Sequence, residues 1–353
     1  MTNVHPDQWQ DFATAVLERA GLPSEPAAAV ARGLVEGDLY GHSTHGLALL
    51  ADYVDEIAAG TMTVDGRPET LADTGAAVTW DARRLPGVWT TMLAVDEASR
   101  RAAQYGVGAV AIRRSHHIAC LAAYLEAPAR AGNLVLVFSS DPSDAHVAPF
   151  GGIAPLITPD PIAAGIPADP DPILIDVSMS ITTAGMVSRT RAEGGRMKGA
   201  WLIDRDGQPT DDPNALKNGG SILPIGGLDY GHKGFALGLM VEALTQGLSG
   251  YGRADAPRDW GAGVLVLAFS PARFGGRDAF LRQTDWLVQA CQSARPRDPG
   301  SPVRLPGQLA LARKRAAERD GLRLSDGILA NLAKLASRYG LVLPGRKPAA
   351  ARP

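Results

Sequence analysis

Apolar positions open the chain at helical spacing: Trp9, Phe12, Val16 and Leu17 share one face of a first helix, which Gly21 closes. Ser24 is placed to cap a second helix running to about Asp38, with Pro26 tolerated in its first turn. Leu47, Leu50, Val54 and Ile57 define a third helix, with Ser43 and Thr44 as capping candidates and Gly60 as its end. From Thr70 the pattern changes to short β-branched runs that predict strands at 108–112, 134–138, 173–175, 201–203 and 264–269. Segments 89–104, 118–130 and 234–248 read as helices between them. Residues 304–339 return to helix, where Ser325 caps a segment whose apolar positions are Ile328, Leu332 and Leu335.

This alternation predicts an α/β fold with a mixed sheet. A helical amino-terminal domain of residues 1–70, joined by carboxy-terminal helices within 304–345, is expected to pack on an α/β domain of residues 71–303. The Pro/Ala/Arg-rich end, 346–353, is expected to fray. Two Gly/Pro-dense stretches, 141–172 and 219–234, are too long for tight connections, and long loops in compact domains usually carry function.

Length and composition narrow the class of partner. A chain of 353 residues favours two subdomains around a cleft over one compact core. Hydrophobic residues at 45% and charged residues at 20% argue against a disordered or membrane-embedded chain. No apolar run approaches the roughly 20 residues of a spanning helix, and the polar start lacks the order of a secretory signal, so a cytoplasmic location is expected. With a formal net charge of -2 and scattered basic residues, no nucleic-acid footprint stands out; the expected partner is a small molecule. Cys120 and Cys291 lie far apart and form no ligand spacing, which supports neither a disulfide scaffold nor a zinc site.

Familiar phosphate and nucleophile motifs are missing: there is no GxGxxG between strand and helix, no GxxxxGK[ST] and no GxSxG. Histidines in glycine-bounded turns remain. His42 and His45 lie three apart in Gly41–Gly46, but a metal would need a third ligand that no recognisable spacing provides, so no metal is expected. The alternatives for this pair are hydrogen bonding at a helix start or a place beside a substrate, with His45 favoured. His116 and His117 follow the strand at 108–112 and open the helix expected at 118–130, whose dipole would lower an imidazole's pKa and suit it to exchange a proton. A structural histidine is nearly as good a reading of these residues alone. Lys233, between glycines before an apolar helix, suits a phosphate or a carboxylate.

Taken in order, Gly41–Gly46, Ser115-His116-His117, Ser140-Asp141-Pro142, Pro149–Gly152, Ile173–Asp176, Gly199-Ala200-Trp201, Gly226-Gly227, His232-Lys233-Gly234 and Arg304–Gly307 resemble the malate/L-lactate dehydrogenase family of the non-Rossmann type. That family includes sulfolactate and ureidoglycolate dehydrogenases and piperideine-2-carboxylate reductases. The resemblance covers nearly the whole chain and implies a homodimer with a non-Rossmann NAD(P)-binding domain and a helical domain built from both chain ends.

It further implies hydride transfer between NAD or NADP and a small C=O or C=N compound. By position, His117 is the general acid/base, with Thr44 and His45 beside the substrate. Leu49, His116 and Met186 fall at substrate-side positions. Ser140, Asp176, Val177, Ser178, His232, Lys233, Arg304 and Gly307 fall on cofactor contacts.

Many members carry an arginine at position 49 for the substrate carboxylate, and a lysine or acidic residue at position 186; this chain has Leu49 and Met186. A leucine cannot replace a charged hydrogen bond worth about 1.5–3 kcal/mol, which points to a substrate without a free α-carboxylate. An ordinary 2-hydroxy acid dehydrogenase, with Arg113, Arg114 or Arg189 as the replacement cation, is the alternative. A catalytically silent paralogue that keeps the cofactor site is a third reading.

Overall fold

The computed structural model describes residues 3–345; the tail expected at 346–353 lies outside the described residues. Three helices, α1 (Pro6–Ala20), α2 (Ser24–Tyr40) and α3 (Leu50–Ala59), precede strands β1 (Glu69–Asp73) and β2 (Ala77–Asp81). Helix α4 (Gly87–Tyr105) then leads to β3 (Val107–Ser115), α5 (Glu126–Arg130) and β4 (Leu134–Ser140). Strands β5 (Ile162–Ile166) and β6 (Ile173–Val177) are followed by α6 (Ala184–Ala192). A small excursion holds β7 (Leu202–Ile203), β8 (Pro209–Thr210), α7 (Asn214–Lys217) and β9 (Ser221–Ile222). Helix α8 (Gly227–Glu242), strand β10 (Ala262–Phe269), and helices α9 (Arg277–Ser293), α10 (Gln308–Asp320) and α11 (Asp326–Tyr339) complete the order.

The principal sheet is mixed, in the order β1-β2-β3-β10-β4-β5-β6. Only β2 and β3 run parallel, joined through α4; every other neighbouring pair is antiparallel. Successive residues of β3 face opposite sides: Val110 and Ile112 enter the core shared with α2 and α4, while Ala111 packs with Leu265, Phe138 and Val241 of α8. Helices from both chain ends meet on the first side, where Leu34, Leu311, Leu332 and Leu335 belong to one cluster with the sheet's Val135 and Val264. A separate cluster, including Val147, Met179, Val187 and Ile222, holds the three-stranded sheet β8-β7-β9 together with α6.

Several local expectations are corrected. Ser24 begins α2 without capping it; Pro23 holds the cap position and no side chain bonds there. Neither Ser43 nor Thr44 caps the third helix. A 3-10 turn, Leu47–Leu49, comes first, and its Leu47 N–H donates to Asp38 Oδ2 at 2.7 Å. Burial pushes the Asp38 carboxyl up to about 7, only partly opposed by that bond. The helix expected at 118–130 is instead an irregular stretch, a 3-10 turn at Leu121–Tyr124 and the short α5. His232 and Lys233 lie inside α8, because that helix begins at Gly227.

Candidate active site

Strand register gathers the site. Ser115 at the end of β3 pairs with Ala262 at the start of β10, and Gly263 pairs with Ser140 at the end of β4. Ile162 at the start of β5 pairs with Val177 at the end of β6. The carboxyl ends of β3, β4 and β6 therefore emerge along one edge of the sheet. A cleft of about 460 Å³ lies there, lined by Thr44, His45, His117, Ser139, Ser140, Asp141, Asp176, Ser178, Met186, Arg189 and Trp260, among others.

His117 sits against the helical layer. Its Nδ1 is 2.9 Å from the Tyr53 hydroxyl of α3, its ring stacks on Trp260 with centroids 4.5 Å apart, and the His45 ring lies 6.0 Å away. Close approach of α4 fixes the backbone here: a Cβ on Gly87 would fall 2.0 Å from the His116 carbonyl oxygen and 2.5 Å from that of His117. Burial holds His117 well below the ordinary imidazole value, with the neighbouring His45 and His116 adding to the effect. Since no helix begins after His117, this desolvation replaces the helix dipole as the cause of a neutral imidazole.

Beside it, Thr44 Oγ1 is 2.9 Å from His45 Nδ1, which fixes the ring that stacks toward His117. Burial lowers the His45 pKa, Asp176 acts to raise it, and His42 lowers it further. Asp176 itself accepts from the Ala122 N–H at 2.9 Å. Thr183 caps α6 by accepting from the Met186 N–H at 3.2 Å, which presents Met186 and Arg189 to the cleft. Arg189 pairs with Glu193 at 2.9 Å and reaches Ser43 Oγ at 3.4 Å.

The structure thus brings Thr44, His45, His117, Ser140, Asp176, Ser178 and Met186 to one cleft. His116 is turned away: it is fully buried, 3.2 Å from Glu56, and burial lowers its pKa to about 4. Leu49 packs on the helical core, one turn before Tyr53, and does not line the cleft. Val177, His232, Lys233 and Arg304 are exposed outside it. Gly307 packs on Leu174, where a Cβ would meet the Leu174 Cβ at 2.6 Å. Ser140 spends its hydroxyl in a buried network, at 2.6 Å from Glu242 and 3.1 Å from Gln246. Arg113 and Arg114 are removed as cleft cations because neither lines the cleft; both bind the buried Asp81, at 2.9 and 2.6 Å. Sequence reasoning missed Tyr53 and Trp260; the one visible signal was Trp260-Gly261 directly before an apolar strand whose start meets the end of β3.

The site thus sets paired histidines over hydroxyl-rich strand ends of a mixed α/β sheet that carries no GxGxxG turn. The chain belongs to the malate/L-lactate dehydrogenase family, which it matches over residues 4–333. It is 34% identical over 337 residues to the (2R)-3-sulfolactate dehydrogenase (NADP(+)) of Chromohalobacter salexigens, covering 92% of this chain and 95% of that protein. It is 29% identical to the Δ1-pyrroline-2-carboxylate/Δ1-piperideine-2-carboxylate reductase of Pseudomonas putida, over 92% of this chain and 94% of that one. The malate dehydrogenase structure from Entamoeba histolytica shares the fold, with a TM-score of 0.91 at 23% identity over 97% of this chain and 99% of that one.

Proposed function

We propose that the protein is an NAD(P)H-dependent reductase/dehydrogenase that transfers hydride to a small C=O or C=N substrate, with His117 as the acid/base group. The observation that carries this reading is the meeting of His117, His45 and Thr44 with the ends of β4 and β6 at one cleft. The donor set suits a nicotinamide dinucleotide: hydroxyls at Ser139 and Ser178, the Asp176 carboxylate for sugar hydroxyls, and the flat face of Trp260. When bound, that cofactor supplies the hydride. His117 gives a proton to oxygen or nitrogen in reduction and takes it back in oxidation. The Tyr53 hydroxyl lies 2.9 Å from His117 Nδ1 and donates to the His117 carbonyl at 3.3 Å, and the Ala119 N–H donates to Nδ1 at 3.4 Å, so the protein holds Nδ1 and leaves Nε2 for the substrate.

Asp176 and Ser178 are assigned to the cofactor, with Ser140 beneath them holding the strand end through its buried network, and Val177 keeps that assignment only for a part outside the cleft. His232, Lys233, Arg304 and Gly307 keep that assignment only for a part of the dinucleotide outside the cleft. The relative whose name specifies NADP(+) favours NADP over NAD. The described part of the amino-terminal domain, 3–70, and residues 304–345 form the helical cover over 71–303 in this reading. Exposed Leu237, Leu239 and Met240 on α8 suit a homodimer interface. Two unpaired cysteines suit the reducing cytoplasm.

Among the described residues Arg189 is the arginine or lysine that lines the cleft; in this reading it turns from Glu193 to meet an anionic group of the substrate, in place of a residue at position 49. A second reading, a substrate without a free α-carboxylate, is favoured by Met186, which is 43% exposed in the same cleft. Thermal melts with NADH and NADPH test the account: a cofactor at a hundred times its Kd stabilises the native state by about 2.7 kcal/mol. A shift with either cofactor, together with quenching of Trp260 fluorescence that Trp260→Phe removes, is expected. No shift with either at millimolar concentration overturns it.

A further inference from the structure

We propose that this chain binds a zinc-class divalent ion on His42, Cys120 and Asp176, in the cleft, and that the bound ion blocks turnover by taking Asp176 from the cofactor. The three residues come from separate parts of the chain: the Gly41–Gly46 turn, the irregular stretch after β3, and the end of β6. One ligand atom from each lies within 4.8 Å of the other two. Cys120 Sγ and Asp176 Oδ2 are already 3.8 Å apart.

Zinc bonds of about 2.0–2.3 Å place tetrahedral ligands roughly 3.3–3.8 Å from one another, so the site closes with small side-chain rotations. His42, half-buried, has room to make them. A thiolate, an imidazole and a carboxylate select a borderline-soft ion, and three protein ligands leave a fourth position facing the cleft that all three residues line. The Ala122 N–H that donates to Asp176 at 2.9 Å orients the carboxylate, as outer-shell partners do in metal sites. On binding, the Cys120 thiol gives its proton to solvent and a sulfur–metal bond forms, with no change of oxidation state.

The third ligand that sequence spacing failed to provide for the Gly41–Gly46 turn therefore arrives through the fold, contrary to the expectation of no metal. The ion would occupy Asp176 beside His45. The blocking half of the proposal rests on the hydride-transfer reading; the binding half does not.

The test uses the full chain freed of metal and titrated with zinc chloride by calorimetry, with cobalt(II) as a spectroscopic substitute. One ion per chain and a thiolate-to-cobalt charge-transfer band are expected. Cys120→Ala should abolish the band, and both Cys120→Ala and His42→Gln should weaken binding at least about tenfold. Because His42 is not a core residue, His42→Gln carries the test if Cys120→Ala does not fold. No binding at millimolar zinc, or unchanged binding in a folded variant, overturns the site. With binding established, stoichiometric zinc should inhibit the natural enzyme while Cys120→Ala stays active; full activity of the zinc-loaded natural enzyme overturns the blocking role. If no reductase activity exists, the hydride-transfer reading fails while the titration still decides the site.

Discussion

The Tyr53 hydroxyl lies 2.9 Å from Nδ1 of His117 and 3.3 Å from the carbonyl oxygen of the same residue, so one phenol on α3 sets the orientation of the imidazole. Hydrogen bonds to a charged group are worth about 1.5–3 kcal/mol, and this one strengthens when His117 takes up a proton. Tyr53→Phe is expected to lower kcat about ten- to a hundredfold while leaving KM and cofactor affinity unchanged. Equal losses in kcat and cofactor affinity would make Tyr53 merely structural.

The depressed His117 pKa sets a pH dependence. The oxidative reaction needs a neutral base, present above the pKa and lost only as pH falls through it. Since burial holds His117 well below the ordinary 6.5, kcat/KM for oxidation should stay level as pH falls through 6.5. A descending limb centred near 6.5 would show an imidazole open to solvent.

Arg189, which lines the cleft, bears on the substrate class. If Arg189 meets an anionic group, Arg189→Ala should raise KM about tenfold or more for anionic substrates with little change in kcat. Leu49→Arg, one turn before Tyr53 on the same face, is the reciprocal variant. A gain of about tenfold in kcat/KM for a 2-oxo acid, with no effect of Arg189→Ala, would favour the substrate lacking a free carboxylate.

Gly87 holds the backbone behind His117. Alanine in a helix is ordinarily better than glycine by roughly 0.5–1 kcal/mol, but here its Cβ would fall 2.0 Å from the His116 carbonyl oxygen. Gly87→Ala should therefore destabilise the protein by about 1–3 kcal/mol, read from the urea midpoint, and lower kcat as the His116-His117 backbone shifts. A raised midpoint would show that α4 does not fix this segment.

Much of this architecture is legible along the chain. The faces carrying Trp9, Phe12 and Val16 or Ile328, Leu332 and Leu335 fix α1 and α11 because 3.6-residue periodicity is local. Strand β5 is hidden: Ile162–Ile166 holds only Ala and Gly between its isoleucines, inside a Pro-rich stretch, and its identity comes from pairing with β4 and β6. The helix after His117 fails because Ile118, Ala119 and Cys120 are buried by tertiary packing, not by helical periodicity, and Ala119 takes a positive φ of 56°. Site residues in glycine-bounded turns were visible by their chemistry. Tyr53 and Trp260 were not, since each reaches His117 only through contacts between segments distant in sequence.

The most direct measurement is His117→Ala, assayed for steady-state turnover and for NADPH affinity in the same preparation. The account predicts a fall in kcat of roughly 10²–10⁴ with cofactor affinity nearly unchanged, because the substitution removes proton transfer and no dinucleotide contact. Turnover within a fewfold of the natural enzyme, or a larger loss in His116→Ala than in His117→Ala, would contradict it.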